Sequence, residues 1–209
     1  MLTDLTVNDF LNKLAGSDPV PGGGSVAALN GALASALAAM VANLTIGKKK
    51  YAGVQDEMQA IARDAVAVMA DFVADVDRDA EAYDCVFDCF KMPKDTDNEK
   101  AARSAAIQKA TIHAAMVPME VARRACALMP RIAEVALKGN RNAVTDACVA
   151  MMSARNAVLA ALLNVRINLV SLEDGDFIRK MQDEADALER QARDYEQNVL
   201  EQINEGLRI

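Results

Sequence analysis

The feature that most restricts the fold is residues 19–47, a stretch without any charged side chain that opens with two prolines and three glycines. The stretch is long enough to cross a bilayer. Because it is rich in alanine and includes Asn30, Ser35 and Asn43, it would gain less free energy in lipid than a run of leucine, isoleucine and phenylalanine. We therefore expect a buried central helix over about residues 26–45, with other helices packed around it, and no membrane association.

The rest of the 209 residues carries repeated helix signals and no alternating strand pattern beyond a few residues. Aromatic residues make up 4% of the chain and tryptophan is absent, so small aliphatic side chains must build the core. Alanine, leucine and methionine favour helix over sheet. The sequence predicts an all-α fold, an up-and-down bundle of about five to seven helices with long central helices, in a single domain over residues 1–209.

Capping and breaking residues predict where the helices begin and end. Thr6 opens the first helix, and the capping box Thr96-Asp97-Asn98-Glu99 opens the fourth. We expect the third helix over about residues 55–90 and the fifth over about residues 143–172. Pro118 and Pro130 are expected to interrupt or kink the fourth helix.

The last helix carries an apolar stripe at helical spacing, with charged residues on the opposite face. The stripe consists of Ile178, Met181, Ala185, Leu188, Ala192, Tyr195 and Val199. Such a surface can pack along the helix's own bundle or along a partner subunit. The sequence leaves both arrangements open.

Charge and cysteine usage restrict the partners and the compartment. A net charge of −7 argues against nucleic acid as the main partner. The cysteines form no CxxC pair and no zinc-like spacing, and we interpret all four as reduced core residues: Cys85, Cys89, Cys126 and Cys148. The first residues read as a polar helix rather than a signal peptide, so we expect a cytoplasmic protein.

The turn before the alanine-rich helix, Pro21-Gly22-Gly23-Gly24-Ser25, is typical of an anion-binding loop. Glycines let backbone N–H groups approach a ligand closely, and a helix N-terminus carries roughly half a positive charge. Ser25 is the expected N-cap. A plain connecting loop is the alternative interpretation. The other end of the helix leads through Asn43 into Lys48-Lys49-Lys50-Tyr51, a local cluster of positive charge.

Asp79 occupies a position on the third helix where an apolar residue is expected. At 100° per residue it lies within about 20° of Ile61, Val68, Phe72, Val86 and Phe90. An ionised carboxylate is costly on such a stripe unless it has a partner. Asp79 therefore has a functional role, caps a neighbouring helix or pairs with an arginine, and the sequence leaves these interpretations open.

Polar residues also share one line on the fifth helix: Asp146, Ser153, Asn164 and Asn168. Arg155 and Arg166 point the opposite way, where we expect solvent. The polar line indicates either an internal cleft or a buried hydrogen-bond network between helices.

Other chemistries find no support in the sequence. The single histidine, His113, has no neighbouring residues that would complete a metal site. Gly47-Lys48-Lys49 lacks the upstream glycine and the Ser or Thr of a phosphate-binding P-loop. No GxSxG sequence or Cys–His pairing points to a covalent nucleophile.

Two long motifs resemble those of the cyclodeaminase/cyclohydrolase family, which includes the C-terminal domain of formiminotransferase-cyclodeaminase and stand-alone bacterial methenyltetrahydrofolate cyclohydrolases. The first runs over residues 19–28, from the glycine turn into the helix, and the second over residues 43–51. Further similar features are Asp79-Ala80-Glu81-Ala82-Tyr83, Met92-Pro93-Lys94, Gly139-Asn140 with Asp146, and Asn164-Val165-Arg166-Ile167-Asn168. Val20 departs from the family, which often has threonine there.

The resemblance implies an all-α enzyme of folate one-carbon metabolism that forms a homodimer or a higher homo-oligomer and needs no metal or separate cofactor. A cyclohydrolase, a hydrolase, opens 5,10-methenyltetrahydrofolate to 10-formyltetrahydrofolate. A cyclodeaminase, a lyase, closes 5-formiminotetrahydrofolate to the methenyl form and releases ammonia. Because no formiminotransferase domain accompanies these residues, we favour the cyclohydrolase. The cyclodeaminase stays open, as does a non-catalytic folate binder or scaffold.

The resemblance also implies which residues serve the site. Asp79 and Asp146 are the candidate catalytic carboxylates, and one lysine of Lys48, Lys49 or Lys50 is the candidate proton donor, with Lys48 and Lys50 preferred. The expected substrate-binding residues are Pro21, Gly22, Gly23, Gly24, Ser25, Asn43, Lys49, Tyr51, Tyr83, Asn140 and Asn168. The glycine turn would suit an anionic group such as the folate glutamate tail.

Overall fold

The computed structural model describes residues 1–207, and within them all regular structure is helical. Six α-helices follow in chain order: α1 (Val7–Leu14), α2 (Gly23–Asn43), α3 (Gln55–Phe90), α4 (Asp97–Lys138), α5 (Val144–Leu169) and α6 (Gly175–Leu207). Short 3₁₀ turns lie at Leu2–Asp4, Lys49–Val54 and Arg141–Ala143. The predicted all-α bundle with long helices is confirmed.

Helix α2 lies at the centre of the bundle and packs against α3, α4 and α5. Its inward positions are small residues, and Ala27, Ala34 and Ala38 are completely buried. Small side chains let neighbouring backbones approach closely, and a Cβ on Gly31 would lie 2.6 Å from the Phe72 ring. The predicted central helix is therefore present, but it begins at Gly23 rather than near Val26.

The C-terminal end of α3 and the N-terminal part of α4 extend beyond the rest of the bundle, and most of their residues are exposed there. Both bonds of the capping box at Thr96 and Glu99 are present, so α4 begins where predicted. Residues Phe87 and Phe90 on the last turns of α3 are exposed. Of the predicted buried stripe, Val86 is partly buried against Ala114 and Val117 of α4, whereas the prediction was wrong for Phe90, which is 52% exposed.

Helix α4 runs without interruption through Pro118 and Pro130, contrary to the predicted breaks. A proline in a helix leaves the carbonyl four residues earlier without its usual N–H donor. For Pro118 that carbonyl belongs to Ala114, and it accepts a hydrogen bond from Asn168 Nδ2 on α5 at 3.0 Å. Packing of the buried residues around Pro118 against neighbouring helices keeps α4 continuous.

Helix α6 packs its apolar stripe along its own bundle rather than leaving it for a partner. Met181, Ala185 and Ala192 are buried there. The opposite-charge pairs Arg123–Glu184, Arg155–Glu196 and Arg166–Glu189 join α6 to α4 and α5. Arg155 and Arg166 therefore face α6, not open solvent as predicted.

A buried ion pair in α3 was not predicted. Asp75 is only 1% exposed, and its carboxylate binds Arg78 at 2.6 Å and also the guanidinium of Arg124 on α4. A charge this deep requires such partners. Asp75, rather than Asp79, is thus the carboxylate of α3 that the arginines neutralise.

All four cysteines are free thiols, but Cys85 is exposed, so its interpretation as a core residue was wrong.

By length and composition, two helical stretches pass the test for a possible membrane span, Gly23–Asn43 and Arg141–Leu169. In α2 most of that window is buried inside the protein, as expected for the core helix of a bundle.

Candidate active site

A cleft of about 330 Å³ lies where the start of α2 meets the outer parts of α3, α4 and α5. The turn before α2 forms one wall, and the Val20–Pro21 peptide bond in it is cis. The residues that line the cleft are Pro19, Val20, Gly22, Gly23, Gly24, Asp79, Tyr83, Val86, Ala114, Asn164, Ile167 and Asn168. The fold thus gathers into one cleft much of the glycine motif with polar residues of α3 and α5.

Asp79 is held against the first turn of α2. The Ser25 hydroxyl lies 3.1 Å from Asp79 Oδ2 and 3.0 Å from the Val76 carbonyl oxygen, and the Ser25 backbone N–H also donates to the carboxylate. Gly22 is the N-cap and Ser25 lies inside the helix, so the prediction of Ser25 as the N-cap was wrong. The anion at this helix N-terminus is therefore the chain's own Asp79.

Gly24 makes this approach possible. A Cβ at position 24 would overlap the Asp79 carboxylate, with Oδ2 at 2.6 Å. At Gly23 the nearest atom to such a Cβ would be Asn164 Nδ2, at 3.3 Å. Gly24 is thus required for the close approach of Asp79, and Gly23 faces the cleft beside Asn164. These contacts give the glycine turn a more specific role than that of a plain connecting loop.

Burial raises the pKa of the Asp79 carboxyl above its ordinary value. The hydrogen bonds from Ser25 act in the opposite direction, and the nearby charge of Asp75 raises the pKa further. A half-buried carboxylate with a raised pKa at a cleft is suited to accept or donate a proton near neutral pH.

Two asparagines of α5 face the same cleft. The side-chain amide of Asn168 donates to the carbonyl oxygens of Ala114 and Asn164, at 3.0 and 2.9 Å, and that of Asn164 donates to Ala160 at 2.9 Å. With the amide protons of Asn168 so engaged, its Oδ1 is left as a hydrogen-bond acceptor. The sequence had placed both residues on a polar line, although only Asn168 was selected as a site residue.

Among residues 1–207, the lining of the cleft offers hydrogen-bond acceptors and one carboxylate, and it contains no lysine, arginine or histidine. Tyr83 forms part of the outer wall, and its ring stacks with that of Phe87 at a centroid distance of 6.4 Å. Such a cleft favours a planar, cationic group over an anionic one.

The second motif lies at the other end of α2. Asn140 donates from its backbone N–H to Thr45 Oγ1 at 2.9 Å and from its side chain to the Leu44 carbonyl at 3.1 Å. The Tyr51 hydroxyl accepts from the backbone N–H of Arg141, and Lys50 Nζ lies 5.6 Å from the Tyr51 ring centre. These contacts place the lysine segment, residues 48–50, beside the turn that precedes α5, where the lysines are exposed.

Helix α5 runs antiparallel to α2, since Asn164 near its end lies at Gly23 and its start lies beside Leu44. Asp146, on the first turn of α5, therefore belongs to the lysine end. At 1.5 Å per residue, the 21 residues of α2 separate the two ends by about 30 Å. Within one chain, Asp146 and the lysines cannot act at the cleft with Asp79.

The predicted site residues thus divide into two groups. The cleft end holds Pro21, Gly22, Gly23, Gly24, Ser25, Asp79, Tyr83 and Asn168. The lysine end holds Asn43, Lys48, Lys49, Lys50, Tyr51, Asn140 and Asp146. Asn164 and Ile167 line the cleft but were not selected. The polar line on α5 already pointed to Asn164, and the family-like segment over residues 164–168 contains both residues, although nothing distinguished Ile167 within it.

Over the described residues, the fold and the cleft define an all-α protein with one carboxylate held at a helix N-terminus, in a cleft whose lining has no cationic side chain. The sequence model of the formiminotransferase-cyclodeaminase family matches residues 6–187. This match spans most of the chain, which therefore belongs to that family.

Individual relatives agree with this assignment. Methenyltetrahydrofolate cyclohydrolase of Methylorubrum extorquens is 39% identical over 199 residues, which are 95% of each chain. Formimidoyltransferase-cyclodeaminase of Mus musculus is 32% identical over 192 residues, which are 92% of this chain and 36% of the mouse protein. The crystal structure of formiminotetrahydrofolate cyclodeaminase from Thermotoga maritima has a TM-score of 0.85 at 31% identity and covers 95% of this chain and 96% of that one.

Proposed function

We propose that this protein is a methenyltetrahydrofolate cyclohydrolase, a hydrolase that converts 5,10-methenyltetrahydrofolate and water to 10-formyltetrahydrofolate. The observation that carries the proposal is Asp79, a half-buried carboxylate with a raised pKa in a cleft without cations. The methenyl bridge is part of a planar amidinium cation, which such a cleft stabilises. The Methylorubrum extorquens relative, whose length the alignment nearly spans, carries this name.

In the proposed mechanism, Asp79 acts first as a base. Its carboxylate accepts a proton from water as the water oxygen bonds to the methenyl carbon, which gives a neutral tetrahedral carbon between N5 and N10. The hydroxyl group on this carbon then loses its proton and becomes the carbonyl oxygen as the bond to N5 breaks, N5 receives a proton, and the formyl group stays on N10. The cation and water thus become 10-formyltetrahydrofolate and one released proton.

A second candidate reaction is formiminotetrahydrofolate cyclodeamination. It passes through a tetrahedral carbon at the same place, and the Thermotoga maritima protein of the same fold carries that name. The purified protein should be given each substrate separately. Loss of the near-ultraviolet absorbance of methenyltetrahydrofolate reports the hydrolase, and ammonia released from 5-formiminotetrahydrofolate reports the cyclodeaminase. The proposal holds if the first activity exceeds the second, and it fails if ammonia release dominates or neither substrate turns over.

The proposal includes a cytoplasmic homodimer and a reaction without a metal. It needs no redox cofactor, because the reaction moves protons and water but no electrons. Among residues 1–207, no group of three or more His, Cys, Asp or Glu side chains is arranged to hold a metal ion. Folate turnover that survives prolonged treatment with a chelator supports the metal-free mechanism. Turnover that is lost with the chelator and returns with a divalent ion contradicts it.

A further inference from the structure

We propose that a groove between the C-terminal end of α3 and the facing part of α4 is a modification site, at which Cys85 forms a mixed disulfide with an anionic low-molecular-weight thiol. The thiol arrives as its own disulfide, which is both the oxidant and the ligand. The groove shares no lining residue with the cleft that contains Asp79. The proposal therefore goes beyond the folate reaction and does not depend on it.

The groove has a volume of about 570 Å³. This lies within the range of small-molecule sites, roughly 300–1,000 Å³. Its polar and thiol side chains are Cys85, Asp88 and Cys89 of α3 with Lys109 and His113 of α4, and two alanines of α4 complete the lining. Two thiols, an ammonium group and an imidazole therefore face the same space.

The register of the two helices determines which of these side chains lie opposite each other. Helices α3 and α4 are antiparallel, and Arg78 contacts Glu120 across them at 2.9 Å. Cys85 comes seven residues after Arg78, and His113 comes seven residues before Glu120. The thiol and the imidazole therefore lie at the same level of the groove. No sequence motif shows this pair, because its members belong to different helices.

Cys85 is the thiol of this chain that is best placed to react. The nucleophile in disulfide exchange is the thiolate, so reaction requires access to solvent and a group that accepts the thiol proton. Both Cys85 and His113 are exposed, and a neutral imidazole accepts a proton. Burial raises the pKa of the Cys126 and Cys148 thiols, which disfavours their thiolate forms.

The charges around the groove favour an anionic ligand. Lys109 is exposed, and within residues 1–207 no carboxylate forms an ion pair with it. Asp88 faces the same groove, but Lys91 binds its carboxylate at 2.7 Å. The ammonium group of Lys109 is therefore free to attract the carboxylate of an incoming disulfide. Glutathione disulfide, which carries a carboxylate at each end of its peptides, is a suitable probe.

The spacing of the two thiols on α3 favours a mixed disulfide over an internal one. Cys85 and Cys89 are one helical turn apart in a helix that continues to Phe90. Residues with this spacing have Cβ atoms about 5–6 Å apart, whereas a disulfide needs about 3.8 Å. An internal bond would require the helix to distort. A bond to a small external thiol leaves α3 as it is.

The chemical step needs no further reactant. His113 accepts the proton of the Cys85 thiol, and Cys85 Sγ attacks one sulfur of glutathione disulfide. A new S–S bond forms as the original one breaks, and the departing glutathione thiolate takes the proton from His113. One protein thiol and one disulfide thus become one mixed disulfide and one glutathione.

Mass spectrometry tests the proposal on the full chain incubated with glutathione disulfide. We expect one glutathionyl group per chain, located on Cys85 by peptide mapping and removed by dithiothreitol. Cys85→Ser should slow the formation of the adduct at least about tenfold, and the exposed position should tolerate serine. Cys148→Ser is the matched control and should react at the wild-type rate.

Two further variants test the neighbours of Cys85. Lys109→Ala should slow the reaction with glutathione disulfide about threefold but not the reaction with cystamine, a cationic disulfide. Lys180→Ala, which removes an exposed lysine of α6, is the matched control. His113→Gln should slow both disulfides about tenfold, because the proton acceptor is lost.

Several results would overturn the proposal. It is wrong if the wild-type chain gains no glutathionyl group, if the group is on another cysteine, or if the product is an internal disulfide between Cys85 and Cys89. It is also wrong if Lys109→Ala slows both disulfides equally or if His113→Gln reacts at the wild-type rate. Because each result is a mass or a rate of mass change, failure of the folate assignment would leave these outcomes unaffected.

Discussion

The Asp79 carboxylate occupies the space that a side chain on Gly24 would need. This relationship joins the glycine motif of α2 to the carboxylate of α3 and explains both. The glycine allows the helix N-terminus to approach the carboxylate, and the helix N-terminus with Ser25 makes a partly buried charge tolerable.

Asp79→Asn should lower turnover by about 100-fold or more, because the amide cannot accept the proton from water. Since burial raises the pKa of Asp79, its contribution to stability is complete at low pH and is lost as the pH rises through that raised pKa. The neutral amide should therefore leave the thermal unfolding midpoint at pH 7 unchanged or higher. Asp84→Asn, an exposed position on the same helix, is the control. Nearly normal turnover in Asp79→Asn would remove this residue from the mechanism.

Ser25→Ala should move the acid limb of the kcat/KM profile to higher pH. The hydroxyl of Ser25 lowers the pKa of Asp79, so without it protonation of the carboxylate begins at a higher pH. Ser35→Ala is the matched control, because its buried hydroxyl donates only to the Gly31 carbonyl of the same helix, at 2.8 Å. An acid limb at the same pH in all three proteins would contradict the role of Ser25.

Gly24→Ala and Gly31→Ala should damage different properties. The new methyl group at position 24 displaces Asp79, so activity should fall much more than stability. At position 31 the methyl group meets the buried Phe72 ring, and overpacking should cost about 1–3 kcal/mol of unfolding free energy with little change in kcat. Chemical denaturation and steady-state kinetics on both variants measure this contrast. Equal losses of activity and stability in both variants would contradict it.

Asp75→Asn should destabilise the protein by about 3 kcal/mol, because Arg124 and Arg78 lose a buried partner. The same change removes a negative charge that raises the pKa of Asp79, so the acid limb of the activity profile should move to lower pH. Denaturation and a pH profile on one preparation test both effects. Unchanged stability would contradict the prediction, because it would mean that water stabilises the two guanidinium groups as well as the Asp75 carboxylate does.

Local sequence signals predicted those parts of the fold that local contacts determine. The capping box at Thr96 and the length of α3 followed from residues close in sequence. Ser25 was wrongly taken as an N-cap because its actual partners, Val76 and Asp79, lie more than 50 residues away. No local pattern contains that information.

The candidate site shows the same limit. Asp79 was identified because a carboxylate on an apolar stripe is anomalous, although the end of that stripe proved exposed. The lysines near the end of α2 were grouped with it by family resemblance, although the helix predicted between the two motifs already implied a separation of about 30 Å within one chain. Asp75 was missed because one of its two arginines, Arg124, comes from another helix.

Pro118 has a consequence that reaches beyond its own helix. By removing one N–H from α4, it leaves the Ala114 carbonyl available to Asn168, which orients a side chain in the cleft. An ordinary residue at position 118 would offer that carbonyl a competing donor from within α4. A residue of α4 thus determines how a side chain of α5 is oriented, because the N–H that Pro118 lacks leaves an acceptor that holds the Asn168 amide in the cleft.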